Sequence, residues 1–218
     1  LNEHMLERIK LQTRETPHFV GCWKMQNTTT CDQLVAFHNE NRDLHRPGVA
    51  GSGKLDERVK KSLDIVVKPR NLKDNKYSSF LVFMSHLKSC YLDYLEQWGF
   101  LKTVLPKVHI GSFNLQKYGE GGHFGALHSE RTTLDTLHRS LVWMTYLNEE
   151  FDSGETHFPM LNLEVAPEKG KTLIWPAEWT HAHLGRKVSN GEKFIVTGWM
   201  HYPLDNGDVD SLDPFEGT

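Results

Sequence analysis

Cysteine is scarce in this chain. Cys22, Cys31 and Cys90 are the only three in 218 residues. They are odd in number and lack C-x-x-C spacing, which argues against a disulfide framework or a zinc knuckle and fits a reducing compartment. Long apolar runs are absent as well: no stretch approaches the roughly 18 residues of a membrane span, so no membrane insertion is expected. Excess charge of one sign is also lacking. With a net charge of -3 and no lysine or arginine stripe, contact with a nucleic-acid backbone has no electrostatic support. Residues 1–16, LNEHMLERIKLQTRET, hold neither the apolar core nor the small-residue cleavage site of a secretory signal. A cytoplasmic protein is the expectation, although the chain begins at Leu1 and a native start further upstream stays open. Oligomeric state is not legible. What is left is a globular protein, 38% hydrophobic and 24% charged, long enough for one domain with a sizeable core and suited to a small-molecule or peptide partner.

The pattern divides into a helical and strand prelude over 1–107, a β-rich core over 108–204 and an acidic tail over 205–218. Leu34, Phe37, Asn41 and Leu44 recur at helical spacing with a Thr30/Gln33 capping-box pair, which predicts a helix over 28–45 ended by Pro47 to Gly53. Leu63, Ile65 and Val67 alternate as in a strand. A second helix is predicted over 79–98, its stripe of Phe80, Phe83, Leu87, Tyr91, Tyr94 and Trp98 facing a sheet and Gly99 stopping it. From Val108 onward come short β segments at 108–118, 124–130, 139–148, 156–165, 171–176, 180–188 and 193–202. Seven or eight such strands after a helical prelude predict a mainly β protein with flanking helices (α+β). Its core would be a double-sheet jelly roll buttressed by the N-terminal helices. The tail carries five acidic residues and no basic one, as a solvated, partly disordered end would.

Three residues in the β core have the chemistry of a metal site. Two imidazoles and one carboxylate bind a non-haem Fe(II) on one face and leave positions open on the other. His128 and Glu130 are two apart, so in a strand they point the same way, and His183 can complete the set from elsewhere. His123 precedes His128 by five residues, a gap that fits no shared strand face, and His181 is a rival to His183. Gly119, Gly121, Gly122 and Gly125 suit a loop over a pocket mouth or an ordinary turn. Ser189-Asn190-Gly191 predicts a hairpin of 180–188 with 193–202, which would bring Lys193 beside the strand of His183. Along the return strand Lys193, Ile195, Thr197, Trp199 and His201 share one face, while Phe194, Val196 and Met200 share the other. The first set is expected toward the interior. A lysine there is costly unless an anion meets it, which points to a dicarboxylate; a surface lysine on an edge strand is the ordinary alternative.

These motifs resemble the Fe(II)/2-oxoglutarate-dependent dioxygenases, in particular the prolyl 4-hydroxylase-like branch. HLGRKVSNGEK at 183–193 is similar to that family's distal-histidine segment, with Gly185 two residues and Lys193 ten residues after the histidine. YGEGGHFGALHSE at 118–130 is similar to its tyrosine, glycine, aromatic and His-x-acid run. SGETHF at 153–158 resembles its Gly-Gly-Glu-Thr turn, and Arg139 stands where the family has an arginine before a Tyr-Leu strand end. The resemblance implies a double-stranded β-helix and Fe(II) held by His128, Glu130 and His183, with 2-oxoglutarate and O2 on the open positions. Lys193 would pair with the distal carboxylate of 2-oxoglutarate, helped by the hydroxyls of Tyr118 and Thr156. Arg139, Trp199 and His201 would line the substrate side of the catalytic site.

It further implies oxidative decarboxylation of 2-oxoglutarate to succinate and CO2. That step would be coupled to hydroxylation of a peptidyl proline, an amino acid or a small metabolite, with ascorbate as candidate reductant. Phe124, Trp143, Trp175 and Trp199 are expected to wall a dry pocket. Three positions depart from the pattern. Glu130 replaces the usual aspartate, one extra residue separates Tyr118 from His128, and Ser153 replaces the first glycine of the turn. Two rival readings remain: a cupin-type iron dioxygenase that needs no 2-oxoglutarate, and a non-catalytic jelly-roll module whose histidines hold a metal for stability.

Overall fold

The computed structural model describes residues 17–50, 55–105 and 107–203, so the expected acidic tail over 205–218 lies outside the described residues. In chain order the main elements are β1 (Gly21–Lys24), α1 (Thr29–Glu40), β2 (Leu63–Val67), α2 (Ser78–Gln97), β3 (Phe113–Tyr118), β4 (His123–His128), β5 (Arg139–Tyr146), β6 (Thr156–Phe158), β7 (Lys171–Pro176), β8 (His183–Gly185) and β9 (Lys193–His201). The architecture is the expected double-stranded β-helix. An eight-stranded antiparallel sheet runs β1-β7-β5-β9-β3-β2 to Arg46–Pro47, with His109–Ile110 also on β9, and it faces a five-stranded sheet ordered Leu163–Val165, β6, β8, β4, Lys60–Lys61.

Alternation along each strand decides which side chains go to which layer. On the outer face of the large sheet Ile65, Val67, Phe113, Leu115, Phe194 and Val196 meet the apolar stripe of α2, Phe80, Phe83, Leu87, Tyr91 and Tyr94, and Leu34 and Phe37 of α1. Phe80, Phe83 and Phe113 are fully buried there, and each contributes roughly 2–3 kcal/mol relative to exposure. The inner face carries Tyr118, Val142, Met144, Trp175 and Ile195 against Phe158 of the small sheet. Trp143, between Val142 and Met144, therefore points to the helices and packs on Phe83 and Phe113. It does not wall the interior as expected. No described helix is long and apolar enough to cross a membrane.

Two local expectations are corrected. The Thr30/Gln33 box does not form: α1 begins after Thr28 without a side-chain cap, and Asn27 Oδ1 accepts from the Thr29 N–H instead. The helix also ends earlier, at Glu40, where the Asn41 amide donates to Phe37 O at 2.7 Å and a 3-10 turn takes over at Arg42–Leu44. The hairpin of 180–188 with 193–202 is absent as well. β8 pairs with β4 and β6, Val188–Gly191 pairs with Phe151–Ser153, and β9 lies between β5 and β3 in the large sheet. Ser189-Asn190-Gly191 does not reverse the chain: the antiparallel pairing runs on in one direction from Gly185↔Thr156 through Val188↔Ser153 and Gly191↔Phe151 to Ile195↔Tyr146, with Gly191 at φ 82°. The turn-like residues stay extended, and the chain passes from the small sheet to the large one without turning back. Lys193 and His183 thus stand on opposite walls of the barrel.

Candidate active site

The small sheet brings the two histidines together. His128 of β4 lies directly opposite His183 of β8 in the strand register, with ring centroids 4.5 Å apart. The strand stops at His128, so Glu130 reaches the same point from the following loop and not from a continuous β segment. Its backbone N–H donates to Ala177 O at 3.3 Å. Trp199 Nε1 donates to Glu130 Oε2 at 3.0 Å. Arg139 Nη1 stands 3.5 Å from that same oxygen, donates to the Glu130 carbonyl at 3.1 Å, and its guanidinium sits 3.7 Å over the Trp199 ring. The longer carboxylate is thus held from two sides.

The imidazoles are oriented by their other nitrogens. His128 Nδ1 lies 2.9 Å from Ala126 O and His183 Nδ1 3.0 Å from His181 O. A carbonyl only accepts, so each ring carries its proton on Nδ1 and turns the Nε2 lone pair inward. Those lone pairs lie 3.4 and 3.6 Å from Glu130 Oε1, and the three candidate ligand atoms all fall within 4.8 Å of one another. Electron pairs and a carboxylate oxygen converging in this way repel unless a cation stands among them, so the donor set fits a divalent ion. Burial alone would raise the Glu130 carboxyl, but the imidazoles of His128 and His183, when protonated, and the Trp199 N–H outweigh it and hold it down at about 2. Desolvation, with His128 second, depresses His183 to about 4. At neutral pH His183 is a neutral imidazole and Glu130 a carboxylate. Phe124 stacks on His128 at 3.7 Å and 10°, while Trp175 stands edge-on to His183 at 5.0 Å.

These groups open into a cavity of about 950 Å³, at whose far wall stands Lys193, 3% exposed. Its ammonium donates to Gly154 O at 2.9 Å and lies 4.7 Å over the Tyr118 ring, its neighbour in the β3–β9 register. Desolvation lowers its pKa to about 8, and the charge of Glu155 offsets that only in part. Gly154, at φ 83°, leaves room for the lysine stem: a Cβ there would stand 3.2 Å from Lys193 Cδ. Ser153 beside it also adopts a positive φ, 65°, which shows why a glycine is usual at that place. Thr156 Oγ1 is 2.6 Å from the Tyr146 hydroxyl.

Eight of the nine sequence-derived residues, His128, Glu130, His183, Tyr118, Thr156, Lys193, Arg139 and Trp199, line this one cavity. His201 does not. A bulge skips Ser140, so that Met200 pairs with Leu141 and His201 with Arg139, which takes His201 off the inner face and packs it against His109 and His138. His181, the rival ligand, is turned to His18 O at 2.8 Å. His123 lies between Gly121 O and Arg58 O outside the cavity. Sequence reasoning missed Lys60, Asp64 and Gln116, all buried in the cavity wall. An aspartate inside the apolar run Leu63–Val67, and a glutamine two residues from Tyr118, were the available signals.

Residues 113–201 match the 2OG-Fe(II) oxygenase superfamily. The chain is 26% identical over 135 residues to a probable prolyl 4-hydroxylase 9 of Arabidopsis thaliana, covering 50% of this chain and 47% of that protein. It spans less than half the length of the curated relatives it matches. Among solved structures it superposes on a viral collagen prolyl hydroxylase of Paramecium Bursaria Chlorella virus-1, determined as a 2OG complex. The TM-score is 0.63 at 16% identity, covering 85% of this chain and 97% of the other. A Trichoplax adhaerens prolyl hydroxylase in complex with a hypoxia inducible factor oxygen degradation domain peptide fragment gives 0.65 at 14% identity, covering 84% of each.

Proposed function

We propose that this chain, whose residues 113–201 match the 2OG-Fe(II) oxygenase superfamily, couples oxidative decarboxylation of 2-oxoglutarate to hydroxylation of a C–H bond in a second substrate. The observation that carries this reading is the joint presence, in one cavity, of a three-atom donor set and a buried ammonium whose protein hydrogen bond goes to a neutral carbonyl. His128, Glu130 and His183 would hold the iron, which would supply O2 activation, and Trp199 and Arg139 fix the Glu130 carboxylate. Lys193 receives the distal carboxylate of 2-oxoglutarate, with the Thr156 hydroxyl beside it. Arg139 and Trp199 border the space left for the second substrate. Since the relatives named above are prolyl hydroxylases, one of them in complex with a peptide, a proline-containing peptide is the first acceptor to try.

Anaerobic addition of Fe(II) and 2-oxoglutarate to the protein gives a weak visible charge-transfer band, lost in His183→Ala. Exposure to O2 with a suitable acceptor then releases succinate. Oxidised product formed without 2-oxoglutarate sinks the reading in favour of an oxygenase without the organic co-substrate, whereas succinate release that is indifferent to Lys193→Met removes the role given to the lysine.

A further inference from the structure

Lys60, Asp64 and Gln116 take no part in the function proposed above, yet they are 5%, 6% and 4% exposed and line the cavity. Lys60 belongs to the small sheet and Asp64 to the large one, so their ion pair at 2.7 Å ties the two sheets at the corner where the chain crosses. Around the carboxylate, Lys60 Nζ donates to Oδ2, Ser62 Oγ donates to Oδ1 at 2.8 Å, and Gln116 Nε2 donates to Oδ2 at 3.0 Å. Gln116 and Asp64 are direct register partners across β2 and β3. Two residues on, the Tyr118 hydroxyl donates to Gln116 Oε1 at 2.8 Å.

The donor and acceptor inventory fixes the direction of every proton in this chain of contacts. A carboxylate only accepts, so Gln116 must turn its NH2 to Asp64 and its carbonyl to Tyr118. That carbonyl also only accepts, so the phenol must give it the one proton it has. Burial, with the Asp64 charge second, pushes Tyr118 well above the usual phenol range despite the Ser62 hydroxyl beside it, so the proton is there to give. What remains on the cavity side of Tyr118 is an oxygen lone pair and the ring face that lies under Lys193.

We infer that Lys60, Asp64 and Gln116 are positioning residues that turn the Tyr118 proton away from the cavity. Tyr118 then meets the Lys193 ammonium with its π face and an acceptor oxygen, and gives no hydrogen bond to the distal carboxylate of a bound dicarboxylate. This rests on the dicarboxylate reading above and deepens it: the ammonium is the charged donor at that wall, and the relay keeps the phenol from sharing the task. Without the relay, the same tyrosine is free to rotate its hydroxyl onto the anion.

Calorimetric titration of 2-oxoglutarate into the anaerobic protein, with Mn(II) added to the metal site, tests the relay. In Gln116→Leu the phenol is released, and the dissociation constant falls three- to tenfold. In the Gln116→Leu/Tyr118→Phe double variant that gain disappears, and Tyr118→Phe alone binds within threefold of the parent. Melting curves run alongside identify any variant that fails to fold, in which case Tyr118→Phe decides alone. A loss of tenfold or more in Tyr118→Phe shows that the hydroxyl already donates to the ligand and overturns the inference, as does a folded Gln116→Leu that binds no tighter than the parent. If the parent itself shows no saturable binding, the dicarboxylate reading falls and the inference with it, a result distinct from loss in the variants alone.

Discussion

Lys60 and Lys193 stand in the wall of one cavity and are buried to nearly the same degree, 5% and 3% exposed, yet one is answered and the other is not. Lys60 has a carboxylate at 2.7 Å, itself held by a serine and a glutamine. Lys193 has a carbonyl at 2.9 Å and an aromatic face. The first arrangement is complete without any other molecule and reads as architecture. The second keeps a desolvated charge open, which folding alone gives no reason to retain, and reads as a receptor.

The sharpest way to break this contrast is to remove each partner in turn. Asp64→Ala strands the Lys60 ammonium in the barrel corner and costs about 3–5 kcal/mol of stability, measured as a loss in the urea midpoint. Lys193→Met removes a charge that lacks a carboxylate, so it leaves stability unchanged or raises it by about 1 kcal/mol while abolishing 2-oxoglutarate binding. Equal destabilisation by the two substitutions would end the distinction between them.

A smaller effect comes from pH. The folded pKa of Lys193 is near 8, against an ordinary value of 10.5, so the burial cost is fully present below pH 8. Between the two values the unfolded chain holds a proton that the folded one has shed. Stability relative to Lys193→Met therefore rises with pH in that window, by about 1.4 kcal/mol per pH unit. A flat difference between the two proteins from pH 7 to 10 contradicts the environment assigned to Lys193. Over the same range 2-oxoglutarate affinity in the parent declines as its ammonium is lost. The smallest expected effect is at Ser153: at φ 65° a glycine relieves left-handed strain, and Ser153→Gly gains up to about 1 kcal/mol, read as a higher melting temperature.

The alternation of β9 was legible because a strand has a strict two-residue period. Lys193, Ile195, Thr197 and Trp199 face the cavity and Phe194, Val196 and Met200 face the helices, as expected. The same rule failed at His201, where a one-residue bulge against Ser140 breaks the period, and no residue type announces a bulge of that kind. The clustering of the three candidate metal ligands was legible from type and spacing, although the spacing argument assumed a strand that ends two residues early. The hairpin error has another cause: Ser189-Asn190-Gly191 is turn-like in composition, yet pairing of Val188–Gly191 with Phe151–Ser153 keeps the segment extended. Lys60 escaped because a Lys-Lys pair reads as solvent-facing. Its burial depends on Asp64, which a strand crossing between sheets brings beside it.

The candidate iron ligands lie on or just beyond strands of the smaller sheet, and two of its members, β6 and β8, are three residues long. The ammonium proposed to receive the keto acid rides on the nine-residue β9, backed by the helical layer. A molecule chelated on the frail wall and gripped by the sturdy one works as a rivet between them. Loading should therefore do more than fill the pocket: amide hydrogens of the short strands are expected to exchange more slowly, and protease nicking near Thr156 to Gly185 to subside, once both ends are fastened.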